Sequence, residues 1–269
     1  MAESQKISKK PELRTLPVID DSSSVGYNPS VLVKNTKDEQ PSSSLSAYQR
    51  YVQFPYEDWK PVRQRVEFVR RYATGRSLID IACGGNPVTE EVKIPYKVGV
   101  DISPKAKELA KGKFHNFYQM DFEATPIEEL EEKLGTYDTV VASEFLEHTF
   151  NPQETIEKLS ALMNTENPYA KLLITIPNGE SLAGKIDRLR NKGEWKRFKT
   201  FHRNHVSLLH LREWEKLFKQ AGLEIKTFDF RPSDIVEGFP KETAPGWKSL
   251  CSALPEYLAH QYFWVLEKK

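Results

Sequence analysis

The sequence predicts an α/β fold with a mostly parallel sheet and helices on both of its faces. Three observations carry this expectation. Seven short apolar runs alternate with helical patterns from residue 61 onward, which is the rhythm of βαβ units. The first run empties into two adjacent glycines, Gly84-Gly85. The second ends on a carboxylate, Asp101.

In chain order, Val62, Val66, Phe68 and Val69 mark an amphipathic helix over 61–72. Leu78–Ala82 reads as a buried strand, followed by the turn Gly84-Gly85-Asn86-Pro87. Val98–Ile102 is the second strand. Ser103-Pro104 then opens a helix, because a hydroxyl caps the free amides and proline suits the first turn. Asn116–Met120 and Thr139–Ala142 are further strands, separated by an acidic helix around Ile127–Leu134. A helix over 152–163 leads to Leu172–Ile176, the most strongly apolar strand. The helix over 209–220 stops at Gly222, a suitable C-terminal cap, and Glu224–Phe230 follows as a strand. Tyr262–Leu266 closes the chain. No crossover helix separates the last two strands, so they are expected to pair antiparallel at an edge, joined by the proline-rich stretch 231–255.

Residues 1–46 hold ten serines and one aromatic, Tyr27. Such a segment buries too little apolar surface to offset its ordering entropy, so a disordered tail is expected, with Val31-Leu32-Val33 as a docking point. The folded domain is expected over 47–269, starting where Tyr48, Tyr51, Phe54, Tyr56 and Trp59 cluster. A chain that is 39% apolar and 29% charged can build a globular core without staples. Its two cysteines, Cys83 and Cys251, imply no disulfide framework and suit a reducing compartment. The opening Met-Ala-Glu-Ser leads into no apolar run, so no signal peptide is expected, and no stretch approaches the ~18 apolar residues a membrane span needs. The cytoplasm is the expected location. A net charge of +1 argues against a dedicated nucleic-acid binder.

The chemistry starts at Ser77-Leu-Ile-Asp-Ile-Ala-Cys-Gly-Gly-Asn86. Paired glycines after a strand allow a tight turn and let a ligand approach the backbone. The bland alternative is a plain strand-to-helix turn. Sixteen residues after Gly85, Asp101 ends the second strand, where a carboxylate can accept hydrogen bonds from both hydroxyls of a ribose. The third glycine of a dinucleotide fingerprint is missing, and Pro87 removes an amide that a pyrophosphate would need. A nucleoside without phosphate fits better, and S-adenosylmethionine is one.

With these motifs in place, residues 75–267 resemble class I S-adenosylmethionine-dependent methyltransferases, especially the small-molecule and glycan type. The resemblance implies a Rossmann-like, mostly parallel seven-stranded sheet with an antiparallel last strand. The family's acid-x-Gly-x-Gly-x-Gly pattern is altered here, with Ala82 at the first glycine and Asn86 at the third. The resemblance implies that Asp80, Ala82, Gly84 and Gly85 line the methionine end of the cofactor and that Asp101, with Ile102, holds its ribose. Asp121 matches the acid that contacts the adenine amino group, with Phe122 beside it; by itself such an Asp is a turn residue. Ser143 and Glu144, ending the fourth strand, are expected to flank the cofactor.

Glu144-Phe-Leu-Glu147-His148 also resembles a segment of metal-dependent O-methyltransferases, of which one kind acts on ubiquinone-type phenols and another on the 3′-terminal ribose of small RNAs. A helix over 144–148 would set Glu144, Glu147 and His148 on one face, where a divalent cation can bind. The second kind adds a later histidine, for which His202 or His205 is available. The competing reading, and the expectation adopted, is that Glu-His braces the loop and no metal is bound. Thr175-Ile-Pro177-Asn178 resembles the family's loop over the substrate pocket. Residues 185–205 carry eight Lys or Arg against Asp187 and Glu194, a basic insert that is either a solvated surface or a lid recruiting an anionic acceptor.

The expected function is therefore O-methylation of a small hydroxylated or glycan acceptor, with His148 or His205 as general base and Glu147 as helper. The alternatives are a metal-dependent RNA 3′-terminal 2′-O-methyltransferase and a non-catalytic S-adenosylmethionine-binding protein.

Overall fold

The computed structural model describes residues 60–178, 181, 185, 205–207, 209–232 and 254–269, all within a unit spanning Gln40–Lys269. The tail, the aromatic cluster 48–59, His202, the connection 233–253 and all of the basic insert except Lys185 and His205 lie outside the described residues.

Seven strands form one sheet: β1 Ser77–Ile81, β2 Tyr96–Asp101, β3 Asn116–Gln119, β4 Thr139–Ser143, β5 Lys171–Pro177, β6 Leu223–Pro232 and β7 Ala259–Lys268. Their order is β3-β2-β1-β4-β5-β7-β6. β1 through β5 run parallel, and β7 is antiparallel to both β5 and β6. The chain steps outward from β1 to β3, then returns to build the other half from β4. The carboxyl ends of β1 and β4 thus flank a topological switch point, where open α/β sheets bind their ligands.

The continuous apolar runs follow from burial on both faces. Leu78, Val141, Leu173 and Val265 pack on one side with Phe68 and Val69 of helix α1 (Arg63–Tyr72). Ile79, Ile81, Val140, Leu172 and Trp264 pack on the other. That second face is covered by α3 (Ile127–Leu134), α4 (Pro152–Ala161) and α5 (Leu211–Gln220). α5 buries Leu211, Trp214 and Phe218, one stripe at helical spacing. Between β2 and β3 lies α2 (Pro104–Leu109), whose first turn is capped as expected: Ser103 Oγ accepts the Ala106 amide at 3.0 Å. A last short helix, α6 (Pro255–Leu258), precedes β7. Among the described residues no helix is long and apolar enough to cross a membrane.

One local expectation is corrected. The glycine turn is not followed by a helix: residues 82–95 hold turns and bends alone. Val88, Val92 and Ile94 from this crossover fill the face beside α1 instead. The last two strands pair antiparallel at one edge of the sheet, as expected, with β7 between β5 and β6. Tyr262, Phe263, Trp264, Val265 and Leu266 are all buried, so β7 needs cover on both faces. β6 alternates Leu223, Ile225, Phe228 and Phe230 with Glu224, Lys226 and Asp229, and such a one-sided strand suits the edge.

The sheet's amino end is tied by Asp138. Its carboxylate accepts the amides of Arg76 (2.7 Å) and Ser77 (3.3 Å) and the side chains of Asn164 (3.2 Å) and Asn167 (2.7 Å). Burial raises this carboxyl's pKa, but the four donors outweigh it and hold it below the usual range.

Candidate active site

Every candidate cofactor residue falls at or just beyond the carboxyl end of β1, β2, β3 or β4. At β1, Ala82 (φ 55°) and Gly84 (φ 61°) both adopt the left-handed conformation. Gly84 donates its amide to Asp101 Oδ2 at 2.8 Å, and Ser103 donates to Asp101 Oδ1 at 2.8 Å. Asp101 therefore bridges the glycine turn and the cap of α2. Burial raises its pKa, opposed by the amides of Ser103, Gly84 and Ile102. An ionised carboxylate offers about four acceptor positions, so two bound amides leave capacity for the paired hydroxyls of a ribose. No helix follows the turn, so the chain there offers no row of helix-terminal amides to a pyrophosphate.

Asp80 stands beneath the turn, buried, with Oδ2 accepting the Thr89 hydroxyl at 2.7 Å. Burial pushes its carboxyl up to about 7; Thr89 opposes this and the charge of Asp101 adds to it. The thiol of Cys83 is likewise pushed up by burial, with Asp80 and Asp101 adding to the shift, so it is not poised as a nucleophile. Two lysines donate to carbonyls of the crossover. Lys113 Nζ donates to the Gly85 carbonyl (3.0 Å), and Lys97 Nζ donates to the carbonyls of Thr89 and Glu90 (3.1 Å each). Sequence reasoning missed Thr89, Lys97 and Lys113, because they become partners of the turn only once β2 lies beside β1.

Beyond β3, Asp121 Oδ1 accepts the Ala124 amide at 3.1 Å, which is the turn-forming role any Asp there could fill. The Phe122 ring is 4% exposed and meets Phe145 edge-on, with centroids 5.9 Å apart. It joins the core rather than offering a face to a ligand.

At β4, Ser143 and Thr175 share a hydrogen bond of 2.8 Å, and Thr175 Oγ1 donates to Glu144 Oε1 at 3.2 Å. Thr175 has a single hydroxyl proton, so Ser143 is the donor in the first bond. Gln261 Nε2 donates to the same Glu144 oxygen at 2.6 Å. Glu144 adopts φ 55°, and helical structure begins only with the 3₁₀ turn Leu146–His148. The common face expected of a helix over 144–148 does not form.

The structure instead gathers Glu147, His148 and His205, whose ligand atoms lie within 4.8 Å of one another. The two imidazoles meet edge-on at 4.7 Å. The segment carrying His205 is docked there by the amides of Val206 and Ser207, which both donate to the Glu147 carbonyl (2.8 and 3.0 Å). Glu147 is fully buried, and neither carboxylate oxygen has a hydrogen-bond partner among the described residues. His148 Nε2 approaches Oε1 only to 3.9 Å. Burial pushes the Glu147 carboxyl well above its ordinary range, the charge of Glu144 adds to that, and Arg65 opposes it. A buried carboxyl of this kind calls for a cation or a proton. Three of the four residues named for a metal thus fit a cation; Glu144, held by Thr175 and Gln261, is not in the group.

Residues 48–227 match a family described as a methyltransferase domain. A ubiquinone biosynthesis O-methyltransferase of Bordetella avium is 29% identical over 122 residues, covering 40% of this chain and 50% of that protein. The corresponding Chromobacterium violaceum protein is 24% identical over 189 residues, 63% of this chain and 76% of its own length. The chain therefore spans about half the length of the first of these relatives. A SAM-dependent methyltransferase from Archaeoglobus fulgidus superposes with a TM-score of 0.52 at 19% identity, over 77% of this chain and 91% of that one, which speaks to the fold. With seven strands in the order described and a family match over most of its length, the chain belongs to the methyltransferase-domain family and has the Rossmann-like class I fold of S-adenosylmethionine-dependent methyltransferases.

Proposed function

We propose that the protein transfers the methyl group of S-adenosylmethionine to an oxygen of a small hydroxylated or glycan acceptor. The observation that carries this is the Glu147, His148 and His205 cluster beyond β4, next to the switch point where Gly84 and Asp101 meet. The O-methyltransferase names of the relatives support the same reading.

In this reading Ala82, Gly84 and Gly85, with Asp80 beneath them, surround the methionine end. Asp101 and Ile102 hold the ribose, Asp121 borders the adenine with Phe122 packed behind it in the core, and Ser143 borders the methyl. When bound, the sulfonium supplies a methyl carbon already attached to a good leaving group. The chain then has two tasks: aligning the acceptor oxygen and removing its proton. A ring nitrogen of His148 or His205 accepts that proton. Glu147 favours the resulting imidazolium, since a buried carboxyl lacking hydrogen bonds gains most from a neighbouring positive charge.

One observation favours a second reading, in which Glu147, His148 and His205 hold a divalent cation: both Glu147 oxygens are buried without donors among the described residues. A cation there would lower the pKa of a coordinated hydroxyl.

Transfer of labelled methyl from S-adenosylmethionine to phenols and glycosides tests the proposal, with and without a chelator. We expect transfer to a hydroxyl, reduced about 100-fold or more in His148→Ala or His205→Ala, the scale of general-base catalysis. Full turnover by both variants would remove the histidines from this role. Chelator-sensitive activity restored by Mg²⁺ or Mn²⁺ would select the cation reading.

A further inference from the structure

The proton taken by a histidine leaves one acceptor oxygen, but a different part of the same site points to a second group on the acceptor. Gln261 starts near the beginning of β7. Because β7 runs against β5, Gln261 pairs with Pro177 and lies at the carboxyl edge of the parallel strands. Its side chain is 4% exposed. Glu144 Oε1, as a carboxylate, can only accept, so the 2.6 Å contact fixes the amide with Nε2 toward Glu144. That leaves Gln261 Oε1 pointing elsewhere, buried and without a donor among the described residues.

A buried amide carbonyl without a donor is costly, and swapping the two ends of the amide would set two acceptors against each other. The arrangement is held in place at some expense. Glu144 takes a left-handed conformation uncommon for a non-glycine residue, and Thr175 and Ser143 extend the same hydrogen-bond chain. Strain and an orphaned polar atom in one place, at the ligand-binding edge of the sheet, fit a site completed by a ligand.

We infer that Gln261 is a recognition residue for the methyl acceptor: its Oε1 accepts a hydrogen bond from a donor group on the acceptor other than the one methylated. This rests on the O-methyltransferase reading. The reacting hydroxyl gives up its proton and cannot serve as that donor in the transition state, so the acceptor carries at least two donor groups. Glu144, through Gln261 Nε2, holds the amide in register; Gln261 selects between acceptors and does not handle the transferred methyl.

The test compares acceptor pairs that differ by one hydroxyl, catechol against phenol and cis-1,2-cyclohexanediol against cyclohexanol, in the full-length protein. Wild type is expected to prefer the two-hydroxyl member of each pair by about tenfold or more in kcat/KM, the scale of one satisfied buried hydrogen bond. In Gln261→Met the preference should shrink to within about twofold, while calorimetric binding of S-adenosylhomocysteine stays unchanged. Gln261→Asn, which keeps the amide but withdraws it by one methylene, should lose the preference as well and serves if the methionine variant does not fold. An undiminished preference in a folded variant that still binds the cofactor product overturns the inference and leaves the O-methyltransferase reading standing. Binding of S-adenosylhomocysteine by wild type with no transfer to any of the four acceptors overturns that reading and the inference with it.

Discussion

Gly84 donates its amide hydrogen to Oδ2 of Asp101 over 2.8 Å, across seventeen residues of chain. One carboxylate thus shapes the glycine turn, and in the proposed reading its remaining acceptor positions hold the ribose. Asp101→Ala removes both functions. We expect S-adenosylhomocysteine binding to weaken about 10- to 100-fold, the scale of a charged hydrogen bond or two. Calorimetry on the folded variant checks this; unchanged affinity would detach Asp101 from the cofactor.

Ala82 occupies the left-handed region at φ 55°, which costs an L-residue about 1–2 kcal/mol and glycine almost nothing. Glycine gives back about 0.5–1 kcal/mol in unfolded-state entropy. Ala82→Gly should therefore be neutral to stabilising by about 1 kcal/mol, whereas Ala82→Val should lower the melting temperature clearly. A melt in which glycine is the worse of the two would contradict the assigned backbone conformation.

Asp80 gives stability a pH dependence. Its carboxyl is raised from 3.8 to about 7 in the folded protein, chiefly by burial, so the folded state holds its proton more tightly than the unfolded chain. The associated stabilisation is complete below about pH 4 and is lost as pH rises through 7. At 1.36 kcal/mol per pH unit the full span is about 4 kcal/mol. Asp80→Asn keeps an oxygen to accept from Thr89 but does not titrate. Its melting temperature should gain on wild type steadily from pH 4 to pH 8. A constant difference across that range would exclude the buried, raised carboxyl.

Gly75 lies at the opposite end of the sheet, at φ 91°, where an added Cβ would come within 2.2 Å of Asp138 Cβ. That neighbour cannot swing away, since its carboxylate is held by Arg76, Ser77, Asn164 and Asn167. Gly75→Ala should destabilise by about 3 kcal/mol or more, combining steric overlap with backbone strain, as read by chemical denaturation. Cofactor affinity of the fraction that folds should be unchanged, because the substitution sits away from the carboxyl edge.

Local pattern determined much of this protein. Strand positions were legible because two-sided burial writes a continuous apolar run. The cap at Ser103 and the stop at Gly222 were legible because helix ends need particular side chains. Asp101 and the paired glycines could be matched because they flank single strands at short range. Tertiary structure decided what depends on partners distant in sequence. β7 slots between β5 and β6 because its residues need cover on both faces. The crossover 82–95 has no helix, and its carbonyls at Gly85, Thr89 and Glu90 are met by Lys113 and Lys97 from beyond it. Glu144 turns to Gln261, 117 residues away, while His205 is brought to Glu147 and His148 by two amides on a single carbonyl. Periodicity reports which face of an element is buried, but carries no record of which distant side chain will meet it there.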